Sequence, residues 1–155
     1  KMKKILLFLL LFPCFGMAQL SYTDLKYLAN NKSDLNIEYI KNKGYSYREE
    51  RDIPDGTKQL YYEGGKLSKT LVVLKVGSNS NNLIVYVPET EANYREILDA
   101  TKKDNYTFIE TISGEIDTCN TYQSKEYFVK FCEIQFPNEP NKAYNITFYK
   151  RGIDL

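Results

Sequence analysis

The chain has 155 residues, and its 21 basic and 20 acidic side chains leave it almost neutral. Balanced charge gives no global attraction to nucleic acid or to anionic lipid, which argues against both as partners. The sequence has no histidine, and this excludes Ser-His and Cys-His nucleophile pairs and any imidazole metal site. We predict neither a cofactor nor a metal, because no ligand motif stands out.

The first 18 residues have the layout of a secretory signal peptide. Three lysines lie within the first four residues, an apolar run follows over residues 5–12, and small residues occupy Gly16 and Ala18. That order predicts export to the periplasm or the extracellular space, with cleavage between Ala18 and Gln19. The apolar run is shorter than the roughly 20 residues of a permanent anchor, so no membrane span is expected.

Cleavage changes both the charge and the cysteine content of the mature chain. The three lysines leave, so 18 basic residues face 20 acidic ones and the net charge becomes −2. Cys14 leaves too, and we expect Cys119 and Cys132 to form one disulfide in an oxidising compartment. The alternative is a lipoprotein acylated on Cys14. Pro13 and Phe15 disfavour it, because such signals prefer small flanking residues.

Hydrophobic periodicity predicts two helices and then four strands in the first half of the mature chain. Residues 21–30 are expected to form a helix capped by Thr23, and Ser33 to cap a second helix over residues 34–43. From Gly44 the period changes to two. The predicted strands are residues 45–49, 58–63, 67–76 and 83–87, with turns at 53–56 and 64–65 and a polar loop at 77–82.

Residues 89–155 repeat the order of elements found in residues 19–88. A helix over residues 90–103, capped by Thr90, is followed by four further strands. The predicted strands are residues 106–110, 116–122, 127–136 and 144–149.

The two halves align at an offset of 61 residues. Gly44 falls on Asn105, and both residue types readily leave a helix in the left-handed conformation. Glu49 falls on Glu110. Few identities support the alignment, so a duplicated unit and a coincidence of two common element orders both stay open. Either way the order predicts one α+β domain over residues 19–155, an antiparallel sheet with its helices packed on one face.

The predicted disulfide joins consecutive strands. The numbers of Cys119 and Cys132 centre the chain reversal between Lys125 and Glu126. If a two-residue loop there is closed by a hydrogen-bonded pair, the cysteines form a non-hydrogen-bonded pair suited to a disulfide. Lys-Glu is an unfavourable tight-turn dipeptide, so a longer loop with a shifted register is the alternative. The spacing differs from that of a Cys-x-x-Cys redox pair, so we predict a structural role.

Tyrosine is the second signal, with 14 copies, all of them in the mature chain. Tyr61 and Tyr62 are adjacent in one strand and must face opposite sides of the sheet, and Tyr149 is out of phase with the apolar residues of the last strand. Tyrosine is enriched at recognition surfaces because it buries a large area at low entropy cost. We therefore select Tyr61, Tyr62 and Tyr149 as candidate partner-binding residues. Half-buried rings are the alternative.

An enzyme of this composition would have to work with carboxylates alone. A glycosidase needs two carboxyl groups, one of them with a raised pKa. Strand alternation and turn positions leave most of the acidic residues of the second sheet half solvated. These residues are Glu110, Glu115, Asp117, Glu126 and Glu133. We predict a protein that is not an enzyme.

Small size, predicted export and abundant tyrosine favour a secreted or periplasmic binding module. We expect an inhibitor or immunity-type protein that presents a Tyr-rich sheet face to a protein partner, with a glycan as the alternative ligand. An envelope-associated structural component or lipoprotein is the alternative function. The sequence predicts nothing about oligomeric state.

Overall fold

The structure is a computed structural model that describes residues 19–65, 70–76 and 83–151. The predicted signal peptide with Cys14, the polar loop 77–82 and the predicted start of the third strand lie outside the described residues. The helices are α1 (Tyr22–Asn30), α2 (Ser33–Asn42) and α3 (Glu91–Lys103). The strands are β1 (Ser46–Asp52), β2 (Lys58–Gly64), β3 (Thr70–Val76), β4 (Ile84–Val87), β5 (Thr107–Ser113), β6 (Asp117–Gln123), β7 (Tyr127–Ile134) and β8 (Ala143–Lys150).

The eight strands form one sheet in the order β1-β2-β3-β4-β8-β7-β6-β5. Every neighbouring pair in it is antiparallel. The first four strands make one half and the last four the other, and β4 pairs with β8 where the halves meet. The predicted α+β class and antiparallel sheet are confirmed.

Helices α1 and α3 pack on one face of this sheet, over the central strands. The ring of Tyr94 in α3 lies 4.6 Å from that of Tyr144 in β8, and the ring of Tyr22 in α1 lies 6.2 Å from that of Phe148. Helix α2 packs against α1 through a stacked pair of tyrosines. Apolar side chains buried between these layers dominate the stability. They include Leu25, Leu28, Ile40, Ile84, Ile97, Val129, Phe131 and Ile146.

The segment before α1 is held in the core by a triangle of hydrogen bonds. The Tyr86 hydroxyl accepts from the Leu20 amide at 3.1 Å and donates to Asn93 Oδ1 at 2.6 Å. The Asn93 side-chain amide donates to the Leu20 carbonyl at 3.0 Å. All three residues are buried, so Leu20 belongs to the folded domain and is fixed to both β4 and α3.

The first two helices begin differently from the prediction. Ser21, and not Thr23, caps α1: its hydroxyl accepts from the Asp24 amide, and the Asp24 carboxylate accepts from the Ser21 amide. This capping box closes at Ser21 because an acidic residue lies three positions later, whereas a lysine lies three positions after Thr23. Ser33 is the first residue of α2, and Lys32 occupies its N-cap position without a side-chain hydrogen bond.

Positions separated by the offset of 61 share local geometry. Gly44 and Asn105 both have positive φ, at 90° and 56°, as predicted for the residues that leave α2 and α3. Strands β1 and β5 begin and end 61 residues apart. Each is interrupted by a bulge at the same relative position, after Tyr47 in β1 and after Phe108 in β5.

Candidate binding surface

We call the sheet face opposite α1 and α3 the open face. Strand alternation turns every second side chain of each strand toward it, away from the core. Within the described ranges, the helices make their sheet contacts with the core-facing side chains of the other face. One cross-strand row on the open face passes through six strands and is called the central row. Its residues are Tyr61, Val73, Val85, Thr147, Lys130 and Thr121.

The part of the open face formed by β2, β3 and β4 is apolar. Tyr61, Val73 and Val85 follow one another across these strands, and Leu71 pairs with Val87 in the adjacent row. Val73 is only 6% exposed although it lies on the open face, so its neighbours in the sheet shield it. The result is a continuous aliphatic surface with an aromatic ring at its outer end.

Tyr61 is fixed at that end by two contacts. The Arg51 guanidinium lies 4.6 Å from the centre of the Tyr61 ring, a cation–π geometry. The Tyr61 hydroxyl donates to Gln59 Oε1 at 2.8 Å. One face of the ring is therefore covered, and the side chain is held in a single orientation.

Tyr149 also lies on the open face, in the half formed by β5–β8. Its ring stacks on Phe128 of the neighbouring strand, with 4.9 Å between the ring centres. Burial raises the pKa of the Tyr149 hydroxyl, which keeps that group neutral and able to donate a hydrogen bond at physiological pH. The predicted phase of Tyr149 relative to the rest of β8 is thus observed.

Tyr62 does not lie on this surface. It faces away from Tyr61, as alternation requires, but it is 2% exposed and belongs to the core. Its ring packs edge-to-face against Tyr47 at 5.8 Å. Because β2 turns Tyr62 and Leu60 together toward the helix side, Tyr62 is not available to a partner, and the candidate set on the open face is reduced to Tyr61 and Tyr149.

Lys130 places a positive charge near the middle of the central row. It lies between Thr147 of β8 and Thr121 of β6. Across the described residues, no carboxylate lies within 4.0 Å of its ammonium group. A charge that no described carboxylate pairs with, set between neutral side chains, suits an acidic group on a bound molecule.

The disulfide between Cys119 and Cys132 lies on the open face, one row from Lys130. Its Cα atoms are 4.1 Å apart and the two residues are directly opposite in β6 and β7. This confirms the predicted pairing and register. The cross-link fixes the β6–β7 pair beneath the polar part of the surface.

The hairpin loop explains why the register holds despite an unfavourable dipeptide. The Ser124 amide donates to the Tyr127 carbonyl at 2.9 Å, which closes a loop of two residues, Lys125 and Glu126. The Ser124 hydroxyl accepts from the amides of Glu126 and Tyr127 at 3.2 Å and 3.0 Å. These side-chain bonds hold the turn without a residue of positive φ in it.

The acidic residues of the second half do not converge. Glu110 projects from the open face beside Thr121, whereas Glu133 projects from the helix side and pairs with Lys142 at 2.7 Å. Two carboxylates on opposite faces of one sheet cannot flank the same bond. Of the residues that the structure describes, no group of three Asp, Glu or Cys side chains could hold a metal ion.

Comparison with known proteins returns no match. No protein-family model matches the chain, and no curated protein or solved structure is significantly similar to it. In the described ranges, no helix is long and apolar enough to cross a membrane. Function therefore has to be inferred from the surface itself.

The sequence analysis missed most of the central row. Val73, Val85, Thr147 and Lys130 were not selected, although each alternates with residues of the core. Alternation in β8 and β7 was enough to place Thr147 and Lys130 away from the helices. Their adjacency depends on β8 lying between β4 and β7, which no local pattern indicates.

Proposed function

We propose that the chain is an exported, disulfide-linked binding module without catalytic activity and that its open face contacts a protein partner. The observation that carries this proposal is the central row. It joins an apolar part, formed by Tyr61, Val73 and Val85, to a polar part around Lys130. Protein interfaces combine an apolar centre with a few polar groups that fix orientation, and the row provides both.

The state of the tyrosine rings favours a protein over a glycan. A sugar ring stacks on a free aromatic face, but the Arg51 guanidinium covers one face of Tyr61 and Phe128 covers one face of Tyr149. The aliphatic surface between these rings has few groups to bond sugar hydroxyls. Val73 and Val85 instead suit the apolar side chains of a protein.

Lys130 indicates the chemistry of the partner. An acidic residue placed opposite Lys130 gains a charged hydrogen bond, flanked by the hydroxyls of Thr121 and Thr147. An inhibitor or immunity-type protein that covers an acidic site of its target fits this arrangement. The apolar part of the row then supplies the contact area.

Export is part of the proposal and rests on the leader and the disulfide. A cross-link between Cys119 and Cys132 is compatible with an oxidising compartment. Leu20 is buried and hydrogen-bonded to Tyr86 and Asn93. Cleavage before Gln19 would therefore leave every described core residue in the mature chain.

Site-specific photo-crosslinking in cells tests the proposed surface. A photoreactive amino acid at Thr147, in the centre of the open face, is expected to give a covalent adduct with one partner protein. The same amino acid at Thr23, which is exposed on α1, is the matched control and is expected to give none. Equal adducts from both positions, or adducts from Thr23 alone, would rule out the open face as the contact surface.

We also propose that the two halves descend from one duplicated unit. The shared positive φ of Gly44 and Asn105 and the shared bulges of β1 and β5 support this at an offset of 61. So do equivalent aromatic pairs at the two sheet edges, Tyr47 with Tyr62 and Phe108 with Tyr122. A profile of diverged relatives should align the halves at this offset, and alignment at any other offset would contradict the duplication.

A further inference from the structure

The two edges of the sheet differ in a way that the proposed function does not use. Strand β5 forms one edge, and all of its residues are exposed. Among them Phe108 and Ile112 are each 50% exposed and Ile109 is 47% exposed. An edge strand presents unpaired amide and carbonyl groups, and apolar side chains around them favour pairing with another strand.

The opposite edge, β1, has the features that prevent such pairing. Five consecutive charged residues fill it, Arg48–Asp52. Two of its carboxylates form ion pairs, Glu49 with Arg51 at 2.6 Å and Glu50 with Lys58 at 2.5 Å. Charged side chains of this kind block edge-to-edge association. Only β5, of the two edges, is therefore suited to accept a further strand.

The hydrogen bonds of β5 define which of its backbone groups are free. The Gly114 amide donates to the Asp117 carbonyl at 2.8 Å and closes the β5–β6 hairpin. Antiparallel alternation then directs the backbone groups of Ile112 and Glu110 toward β6 and those of Thr111 and Ser113 outward. The bulge between Phe108 and Glu110 ends this regular stretch. The segment that can pair is Glu110–Gly114, and its midpoint is Ile112.

We propose that a second copy of this chain occupies the β5 edge, in antiparallel pairing about a two-fold axis at Ile112. Thr111 of each copy then exchanges backbone hydrogen bonds with Ser113 of the other, and the two Ile112 side chains meet in a non-hydrogen-bonded pair. Glu110 faces Gly114 of the second copy. The two eight-stranded sheets become one continuous sheet with a closed, isologous interface.

The charge pattern of β5 selects this register and this occupant. Glu110 is the only ionisable residue in Thr107–Ser113. Pairing centred on Glu110 would set two carboxylates opposite each other, which is destabilising, whereas the axis at Ile112 separates them. It also pairs the whole regular segment with itself. Pairing of β5 with β1 of another copy would place apolar side chains against the charged run, so an open-ended chain of copies is disfavoured.

The test uses opposite charges at Ile112 in the mature chain, with mass measured by analytical ultracentrifugation. Wild type is expected to be a dimer. Ile112→Lys and Ile112→Glu are each expected to raise the dimer dissociation constant about tenfold or more, because the axis sets like charges against each other. A one-to-one mixture of the two variants is expected to restore the dimer as a heterodimer, since the ammonium group introduced in one copy would then face the carboxylate introduced in the other across the axis.

Leu35→Lys is the matched control, because Leu35 is an exposed apolar residue on α2 at 48% exposure. This variant is expected to dimerise like wild type. Circular dichroism melting of each variant checks that it folds. A monomeric wild type, dimers that persist in both Ile112 variants, or folded variants that fail to reassociate on mixing would overturn the proposal. These outcomes are independent of the open face, so they leave the proposed function separately testable.

Discussion

Asp24 connects the start of α1 to α2 through its carboxylate. This group accepts from the Ser21 amide at 2.8 Å, accepts from the Tyr39 hydroxyl, and lies 3.0 Å from the Lys43 ammonium. Burial opposes ionisation of the carboxyl. Hydrogen bonds from Tyr39, Ser21 and Lys43 outweigh that effect and lower the pKa of Asp24 below its ordinary value.

The lowered pKa gives Asp24 a defined effect on pH stability. A carboxyl with a lower pKa in the folded state stabilises the fold above its unfolded pKa of about 4, and the effect is lost as pH falls through the folded pKa. We expect Asp24→Asn to lower the free energy of unfolding at neutral pH by about 1–3 kcal/mol. The variant should also lose less stability than wild type on acidification.

Urea unfolding between about pH 3 and pH 7 measures both effects of this substitution. Asp34→Asn is the control, because Asp34 is an exposed acidic residue in the first turn of α2. It should change stability by no more than about 0.5 kcal/mol. Parallel pH profiles for wild type and Asp24→Asn would show that Asp24 does not contribute as described.

At the scale of elements, the β6–β7 hairpin is the most constrained part of the open face. Cys119 and Cys132 are 13 positions apart in sequence, so the cross-link closes a short loop. The double substitution Cys119→Ser, Cys132→Ser is expected to lower the free energy of unfolding by about 3 kcal/mol, chiefly because the unfolded chain regains the entropy of that loop. Denaturant unfolding monitored by circular dichroism measures the change.

A reductant provides the control for this prediction. It should lower the stability of wild type by a similar amount and leave the double variant unchanged. The turn bonds of Ser124 remain in both proteins, so the hairpin register should persist. A wild type whose stability does not respond to reductant would contradict the assigned contribution of the disulfide.

Local features of these elements were predictable, and their long-range arrangement was not. The 119–132 register, the cap at Thr90 and the left-handed residues Gly44 and Asn105 all follow from contacts within a few residues or one hairpin. The burial of Tyr62 was not predictable, because alternation separates Tyr61 from it without deciding which one faces the helices. That choice depends on where α1 and α3 pack, and so on contacts distant in sequence.

The edge strands illustrate the same limit. Sequence periodicity predicted a strand over residues 106–110 but gave no reason to place it at an edge rather than inside the sheet. Its position follows from the order β4-β8-β7-β6-β5, in which the two halves join through β4 and β8. Exposure of Phe108 and Ile112 is a consequence of that order.

At the scale of the whole molecule, the position of the mature N-terminus decides where the open face is displayed. We expect intact mass spectrometry of the exported protein to give a chain that starts at Gln19, since the leader has the charge, apolar and small-residue order of a cleaved signal. An acylated Cys14 at the N-terminus would contradict free export. It would favour the envelope-associated alternative, with the domain tethered to a membrane.

The central claim is that the open face binds a protein partner through its central row. The most direct test compares Thr147→Arg with Thr23→Arg, the same change on the open face and on the exposed side of α1. The affinity of each variant for the partner captured from Thr147 is measured by calorimetry. We expect Thr147→Arg to weaken binding by about tenfold or more, because a bulky cation then lies beside Lys130 in the contact, and Thr23→Arg to leave it unchanged. Equal affinities for the two variants would contradict the claim.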